Sequence, residues 1–337
     1  MQPDRFANAA VIGTGMMGPG IALTLALGGV RATILSRNRE NALQGLEKAW
    51  AQTRLLEENG LASADRAARA RDLLGASTAF DETVARADLV IESAPEDMAF
   101  KQELFARMDG LSGPDAVLAS NTSGLSITAI ASACRHPERV LTTHFWNPPH
   151  LMPLVEIVLG ERTSPETGGA VRDLLSACGK TPVVVKKDRP GQLGNRLQMA
   201  LVREAVNIVA EGIASVEDVD LAAKNGFGLR LPVYGIFEHQ DMVGLDMCLA
   251  IIDYVARDLN NEPKAPEFYH RMVARGELGV KTGKGFYDWS QKDAAAVRAL
   301  RDRFVLEFLQ KWPRVIAGEK KGERVEPSDK PELRWNP

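Results

Sequence analysis

His144 and Glu156 have the residue types and the setting for proton transfer. His144 lies in the apolar run VLTTHF (140–145) and opens HFWNPP, where Asn147 and two prolines make a rigid turn. Glu156 sits within PLVEIV, a carboxylate in an otherwise apolar strand pattern. Burying a carboxylate without a partner is costly, so this one calls for a donor. If the second run returns beside the first, the two form a dyad. The carboxylate then fixes the imidazole tautomer and stabilises imidazolium as the histidine takes a hydroxyl proton. Periodicity alone accommodates a purely structural His–Glu hydrogen bond equally well. Of the other histidines, His136 (CRHPER) and His270 have charged surroundings and read as surface residues. His150 and His239 fit a pocket wall, with nothing specific to recommend either.

The run VIGTGMMG (11–18) supplies a second chemistry. Gly13, Gly15 and Gly18 have the G-x-G-x-x-G spacing, between a strand pattern and an apolar helix that begins near Pro19. Gly13 permits the sharp turn, Gly15 lets the backbone approach a pyrophosphate, and Gly18 lets helix and strand pack closely. Met16 and Met17 complete the expected cofactor-binding turn. A glycine-rich turn with no ligand is the alternative. About 20 residues further on, an NAD-preferring fold places Asp or Glu against the ribose 2′-hydroxyl. Here the residues are Ser36, Arg37, Asn38 and Arg39. Arginine pairs with a 2′-phosphate, so the reading is NAD(P), leaning to NADP. The other reading makes both arginines solvated helix-start residues and keeps NAD.

These residues need a scaffold. Short apolar runs at 9–12, 32–35, 89–92, 116–120, 140–145, 154–158 and 182–186 read as strands. Helical patterns at 19–28, 38–59, 64–74 and 97–109 alternate with them, which predicts a doubly wound Rossmann-type α/β sheet covered on both faces. Segment 188–194 (DRPGQLG) reads as a connector, and an amphipathic run at 195–212 opens an all-α region in which Ser215 and Asp218 form a helix cap. The expected plan is a dinucleotide-binding domain over 1–188, an all-helical substrate and dimerisation domain over 189–290, and a helical extension with a charged tail over 291–337.

The chain has 337 residues, 45% hydrophobic and 25% charged, with a net charge of −3, as expected of a water-soluble globular protein without a basic field for nucleic acid or anionic membrane. Residues 9–30 carry no charge, yet six glycines and a proline make a strand–turn–helix a better account than a membrane span. Three distant cysteines, Cys134, Cys178 and Cys248, offer no zinc or disulfide spacing and suit a reducing cytoplasm, so no metal is expected. The segment from Gly318 onward, rich in charge and proline, reads as a poorly packed tail.

Five blocks carry a family likeness: VIGTGMMGPGIA (11–22), SNTSGLSITAIA (120–131), HFWNPPHLMPLVE (144–156), GKTPVVVKKDRPGQLGNRL (179–197) and GVKTGKGFYDW (279–289). On these the chain resembles the L-3-hydroxyacyl-CoA dehydrogenases. The resemblance implies that His144 is general base in oxidation and general acid in reduction, oriented by Glu156. It further implies that Ser123 hydrogen-bonds the substrate oxygen and that Asn195 holds substrate and histidine. Glu96, Lys101, Asn147 and Lys281 fall where the family lines the nicotinamide half of its cofactor. Read as structure alone, Ser123 is a turn residue, Asn195 a helix cap, and the two lysines surface charges. A homodimer formed through the helical domain is also implied.

Some residues depart from the family. Ser36 replaces the acid expected after the second strand. The helix that holds the CoA adenosine end in animal members is here LEKAWAQTRLLEENG (46–60), with Gln52 and Asn59 at about the contact positions in place of the usual serine and lysine. NPPH is closer to relatives acting on free hydroxy acids, such as carnitine or gulonate dehydrogenases, whereas KTGKGFYDW is closer to the acyl-CoA enzymes. Two readings of the same chemistry follow, one on a 3-hydroxyacyl-CoA and one on a free 3-hydroxy acid. A third, a non-catalytic dinucleotide-binding protein, has His144, Glu156, Ser123 and Asn195 together against it. The lysine-dependent β-hydroxyacid dehydrogenases need a lysine one helical turn from the asparagine, where this chain has Gly191, Gln192, Gln198 and Met199.

Overall fold

The computed structural model describes residues 5–312. Strands β1 (Asn8–Ile12), β2 (Arg31–Leu35), β3 (Leu74–Ser77), β4 (Leu89–Glu92), β5 (Val117–Ser120), β6 (Val140–Phe145), β7 (Leu154–Leu159) and β8 (Thr181–Val185) form one sheet, in the order β3-β2-β1-β4-β5-β6-β7-β8. Neighbouring strands run parallel except β6 and β7, which are antiparallel. Helices α1 (Gly18–Leu27), α2 (Arg39–Glu58), α3 (Ala64–Leu73), α4 (Phe80–Ala85), α5 (Met98–Leu111), α6 (Ile127–Ala131) and α7 (Pro165–Ala177) are interspersed with the strands. Both faces of the sheet are covered. Leu89 and Ile91 of β4 join a core with Ile21 and Leu25 of α1, while Val90 joins another with Phe105 and Met108 of α5 and Ile127 of α6.

The sheet's long apolar strands were expected; β3 was not. The helical pattern at 64–74 ends at Leu73, and Leu74–Ser77 turns into an edge strand paired with β2. It contains no β-branched residue, so nothing local marks it as strand.

After β8 come α8 (Gly194–Ala210), α9 (Val216–Asn225), α10 (Phe227–Arg230), α11 (Ile236–Val243), α12 (Leu245–Val255), α13 (Glu267–Ala274) and α14 (Ala294–Lys311). Ser215 caps α9 by accepting from the Asp218 N–H, as its position suggested. Leu197, Met199 and Leu201 of α8, Phe237 and Met242 of α11, and Leu249 of α12 are exposed. The last helix behaves differently. Leu306 of α14 is buried in the main core, which includes Leu56 of α2, and Val305 and Leu309 pack against it. The Gln310 side chain donates to the Asn59 carbonyl just past α2. The tail expected from Gly318 lies outside the described residues. Among those residues, no helix is long and apolar enough to cross a membrane.

Candidate active site

The β6–β7 ladder places His144 directly opposite Glu156. Glu156 is fully buried and His144 nearly so, and Nδ1 lies 2.7 Å from Oε2. Three further donors converge on the carboxylate. Trp146 Nε1 reaches Oε2 at 3.0 Å, and the backbone N–H groups of Leu193 and Gly194 both reach Oε1 at 2.8 Å. Those two N–H groups open α8, whose dipole favours an anion there. Burial pushes the Glu156 carboxyl up, but the bonds from His144, Gly194, Trp146 and Leu193 outweigh it and hold it down at about 2. With an ionised acceptor on Oε2, His144 must donate from Nδ1, which leaves Nε2 as the ring's free base.

The 121–124 loop borders this dyad. The Asn121 side chain accepts from the Phe145 N–H at 2.8 Å, tying the loop to β6. Asn195 donates to the Ser123 carbonyl at 2.9 Å and Gln192 to the Thr122 carbonyl at 2.8 Å. Ser123 is exposed, and its hydroxyl bonds to none of the described residues. Glu96 lies against the same loop, with Lys101 behind it, 3.5 Å from Glu96 Oε2. Lys101 is no surface charge. It is 1% exposed and donates to the buried Glu92 at 2.6 Å.

The turn after β1 fits a dinucleotide phosphate. Gly13 has φ +116°, and a Cβ there would lie 2.4 Å from the Ser93 carbonyl oxygen. A Cβ on Gly18 would lie 1.9 Å from the Gly13 oxygen, so helix and strand need glycine at both. Around Gly15, by contrast, nothing lies within 4 Å of a Cβ, leaving open space beside the N-terminus of α1. Met16 is exposed there, and Met17 packs on the core. Ser36 follows β2, and exposed Arg37 makes no hydrogen bond or ion pair with the described residues. Asn38 caps α2 through the Asn41 N–H.

The last two expected members lie in different elements. Exposed Asn147 follows β6, close to the dyad in sequence. Lys281 lines a cavity of the helical region with Asp220, Glu277 and Tyr287, and that wall contains none of His144, Glu156, Ser123 or Asn195. Sequence reasoning passed over Glu92, Trp146, Gln192 and Lys180. Lys180 fastens the loop after His144, donating to the carbonyls of Pro149 at 2.5 Å and Met152 at 3.0 Å. Glu92 had a usable signal, since LVIE places a carboxylate in an apolar strand just as PLVEIV does.

A glycine turn at the first strand–helix junction of a doubly wound sheet, with a His–carboxylate pair at the far side of the same sheet, defines a nicotinamide-dependent oxidoreductase. The chain belongs to the 3-hydroxyacyl-CoA dehydrogenase family: residues 8–189 match the NAD-binding domain of these enzymes and residues 191–289 their C-terminal domain. A 5-formyl-3-hydroxy-2-methylpyridine 4-carboxylate 5-dehydrogenase of Mesorhizobium japonicum is 35% identical over 301 residues, covering 88% of this chain and 95% of that one. A crystal structure of such a 5-dehydrogenase, described as an NAD+-dependent dismutase, superposes with a TM-score of 0.84 at 33% identity, covering 94% of this chain and all of the other. The (S)-3-hydroxybutyryl-CoA dehydrogenase of Ralstonia eutropha gives a TM-score of 0.70 at 32% identity, covering 84% of this chain and 99% of its own.

Proposed function

We propose that the protein oxidises the secondary alcohol of an L-3-hydroxyacyl group to the 3-oxo compound, or runs the reverse reduction, with His144 and Glu156 as its acid–base dyad. The observation that carries this reading is the ionised Glu156 bonded to His144 Nδ1, which leaves Nε2 to take the hydroxyl proton. The nicotinamide, when bound, accepts or returns the hydride. Ser123 offers a hydroxyl to the substrate oxygen, and Asn195 keeps the Ser123 backbone in place. Ser36 and the unpaired Arg37 support a preference for NADP. Asn147 and Glu96 complete the cofactor side in this reading, with buried Lys101 behind Glu96 and Lys281 in the separate cavity of the helical region. The exposed apolar faces of α8, α11 and α12 support a homodimer, because lone soluble chains rarely leave such surface to water.

The substrate is either the family's CoA thioester or a free 3-hydroxy acid, and α14 favours the free acid. The match to the family's C-terminal domain ends at residue 289, before α14 begins. In this chain α14 joins the core that includes Leu56 and bonds to the Asn59 carbonyl, on the segment where the resemblance seats the CoA adenosine. Turnover assays on acetoacetyl-CoA and on free 3-oxo acids, read by nicotinamide absorbance, test the proposal. Reduction of free acids alone supports the second substrate class, acetoacetyl-CoA alone the first, and turnover of neither overturns the reading.

A further inference from the structure

Glu92, Lys101 and Glu96 form a chain of charges that ends on the Ser123 loop. Glu92 closes β4, is fully buried, and is fixed on both oxygens: Oε2 accepts from Ser120 on β5 at 2.6 Å, and Oε1 from the Ala94 N–H at 2.5 Å. Lys101 of α5 donates to Oε1 at 2.6 Å and also to the Ala94 carbonyl at 3.4 Å. Its ammonium then stands 3.5 Å from Glu96 Oε2. The other oxygen of Glu96 accepts from Thr122 Oγ1 at 2.5 Å, the Ser123 N–H at 3.1 Å and the Gly124 N–H at 3.3 Å. On the opposite edge of this loop, the carbonyls of Thr122 and Ser123 are held by Gln192 and Asn195.

We propose that Glu96, braced by the buried Glu92–Lys101 pair, is a positioning residue that sets Ser123 against the substrate oxygen. The proposal rests on the reading of Ser123 given above. Each link fixes the next. Glu92 and Lys101 are both buried and 2.6 Å apart, and breaking such a buried pair is strongly unfavourable, so each holds the other in place. The Glu96 side chain is 44% exposed, and the ammonium behind it restrains Oε2 while Oε1 holds the loop. Glu96 is also the one side chain outside the loop, among the described residues, that accepts from the Ser123 N–H. Lys101 therefore reaches the reaction through Glu96 and the loop. A hydroxyl displaced by about 1 Å loses on the order of 100-fold in rate, so the brace matters to turnover even though its members are not the reacting groups.

The test compares Glu96→Ala, Ser123→Ala and the double variant in turnover number, cofactor KM and substrate KM. Glu96 is half exposed, so its truncation leaves the core intact, and a thermal melt checks this. The expected result, read at saturating cofactor, is a fall in kcat of about 10- to 100-fold for Glu96→Ala, with the double variant no slower than Ser123→Ala. Losses that multiply in the double variant, or a raised cofactor KM with kcat kept, overturn the positioning role while leaving the Ser123 assignment standing. Ser123→Ala at wild-type turnover removes the underlying reading and this proposal with it.

Discussion

His144 and Glu156 are register partners across the antiparallel β6–β7 ladder, and their side chains meet at 2.7 Å. The loop between the strands is too short for the helical crossover that parallel strands need, so the second strand must return antiparallel. That return puts the carboxylate beside the imidazole and within reach of the first N–H groups of α8. The helical region is thereby bonded directly to the dyad, and the opening of α8 helps set the charge of Glu156.

Replacing Glu156 by glutamine should keep the packing and lose the chemistry. An amide can still accept from the Leu193 and Gly194 N–H groups, but it cannot accept on both sides. A donor facing His144 Nδ1 forces the proton onto Nε2, where the base is needed. We expect kcat to fall by about 10²- to 10⁴-fold, with cofactor KM little changed. Steady-state kinetics alongside circular dichroism would check this.

Gly194→Ala should be destabilising although alanine is the better helix former. Its Cβ would lie 2.5 Å from Trp146 Cζ2 and 3.4 Å from Glu156 Oε2. Helix propensity favours the change by up to about 1 kcal/mol, while overpacking costs typically ~1–3 kcal/mol. The expected outcome is a lower melting temperature together with slower turnover. A more stable, fully active variant would contradict the packing described for the dyad.

Acid should weaken the fold through His150. Burial, and then the charge of Lys180, depress its imidazole from the ordinary 6.5 to about 4, with Asp302 opposing. Between those values the unfolded chain binds the proton and the folded chain does not, so stability is complete above pH 6.5 and is lost as pH falls toward 4. The slope from this group is at most about 1.4 kcal/mol per pH unit. Glu156 adds a separate loss as pH drops from 4.5 toward 2. Denaturant titrations across pH should therefore give a flatter acid limb for His150→Leu than for the wild type.

What the sequence could and could not disclose follows from how local each signal is. Glu156 was legible because a carboxylate in an apolar run demands a partner, and the glycine turn because its spacing sits between strand and helix patterns. The burial of Lys101 was not, since lysines are rarely buried and only the packing of α5 over the end of β4 encloses it. Gln192 looked like any residue of a glycine-flanked connector, though it is buried and clamps Thr122. The bond from Gln310 of α14 to the Asn59 carbonyl joins segments far apart in the chain, and no local pattern encodes such a contact.

Arg37 offers a test of cofactor choice. It is exposed, and no described residue competes for its guanidinium. Arg37→Ala should raise the KM for NADP by about tenfold or more, consistent with losing one charge-assisted pair worth roughly 1.5–3 kcal/mol, and leave that for NAD nearly unchanged. Equal losses for both cofactors would remove the argument for a 2′-phosphate partner.

In the proposed function, His144 moves the proton that accompanies hydride transfer. Nicotinamide-coupled turnover of wild type and His144→Gln, with whichever 3-oxo substrate is reduced fastest, tests it most directly. The expected variant is folded, still binds cofactor and is slower by about 10²- to 10⁴-fold. Turnover near the wild-type rate, with folding intact, would contradict it.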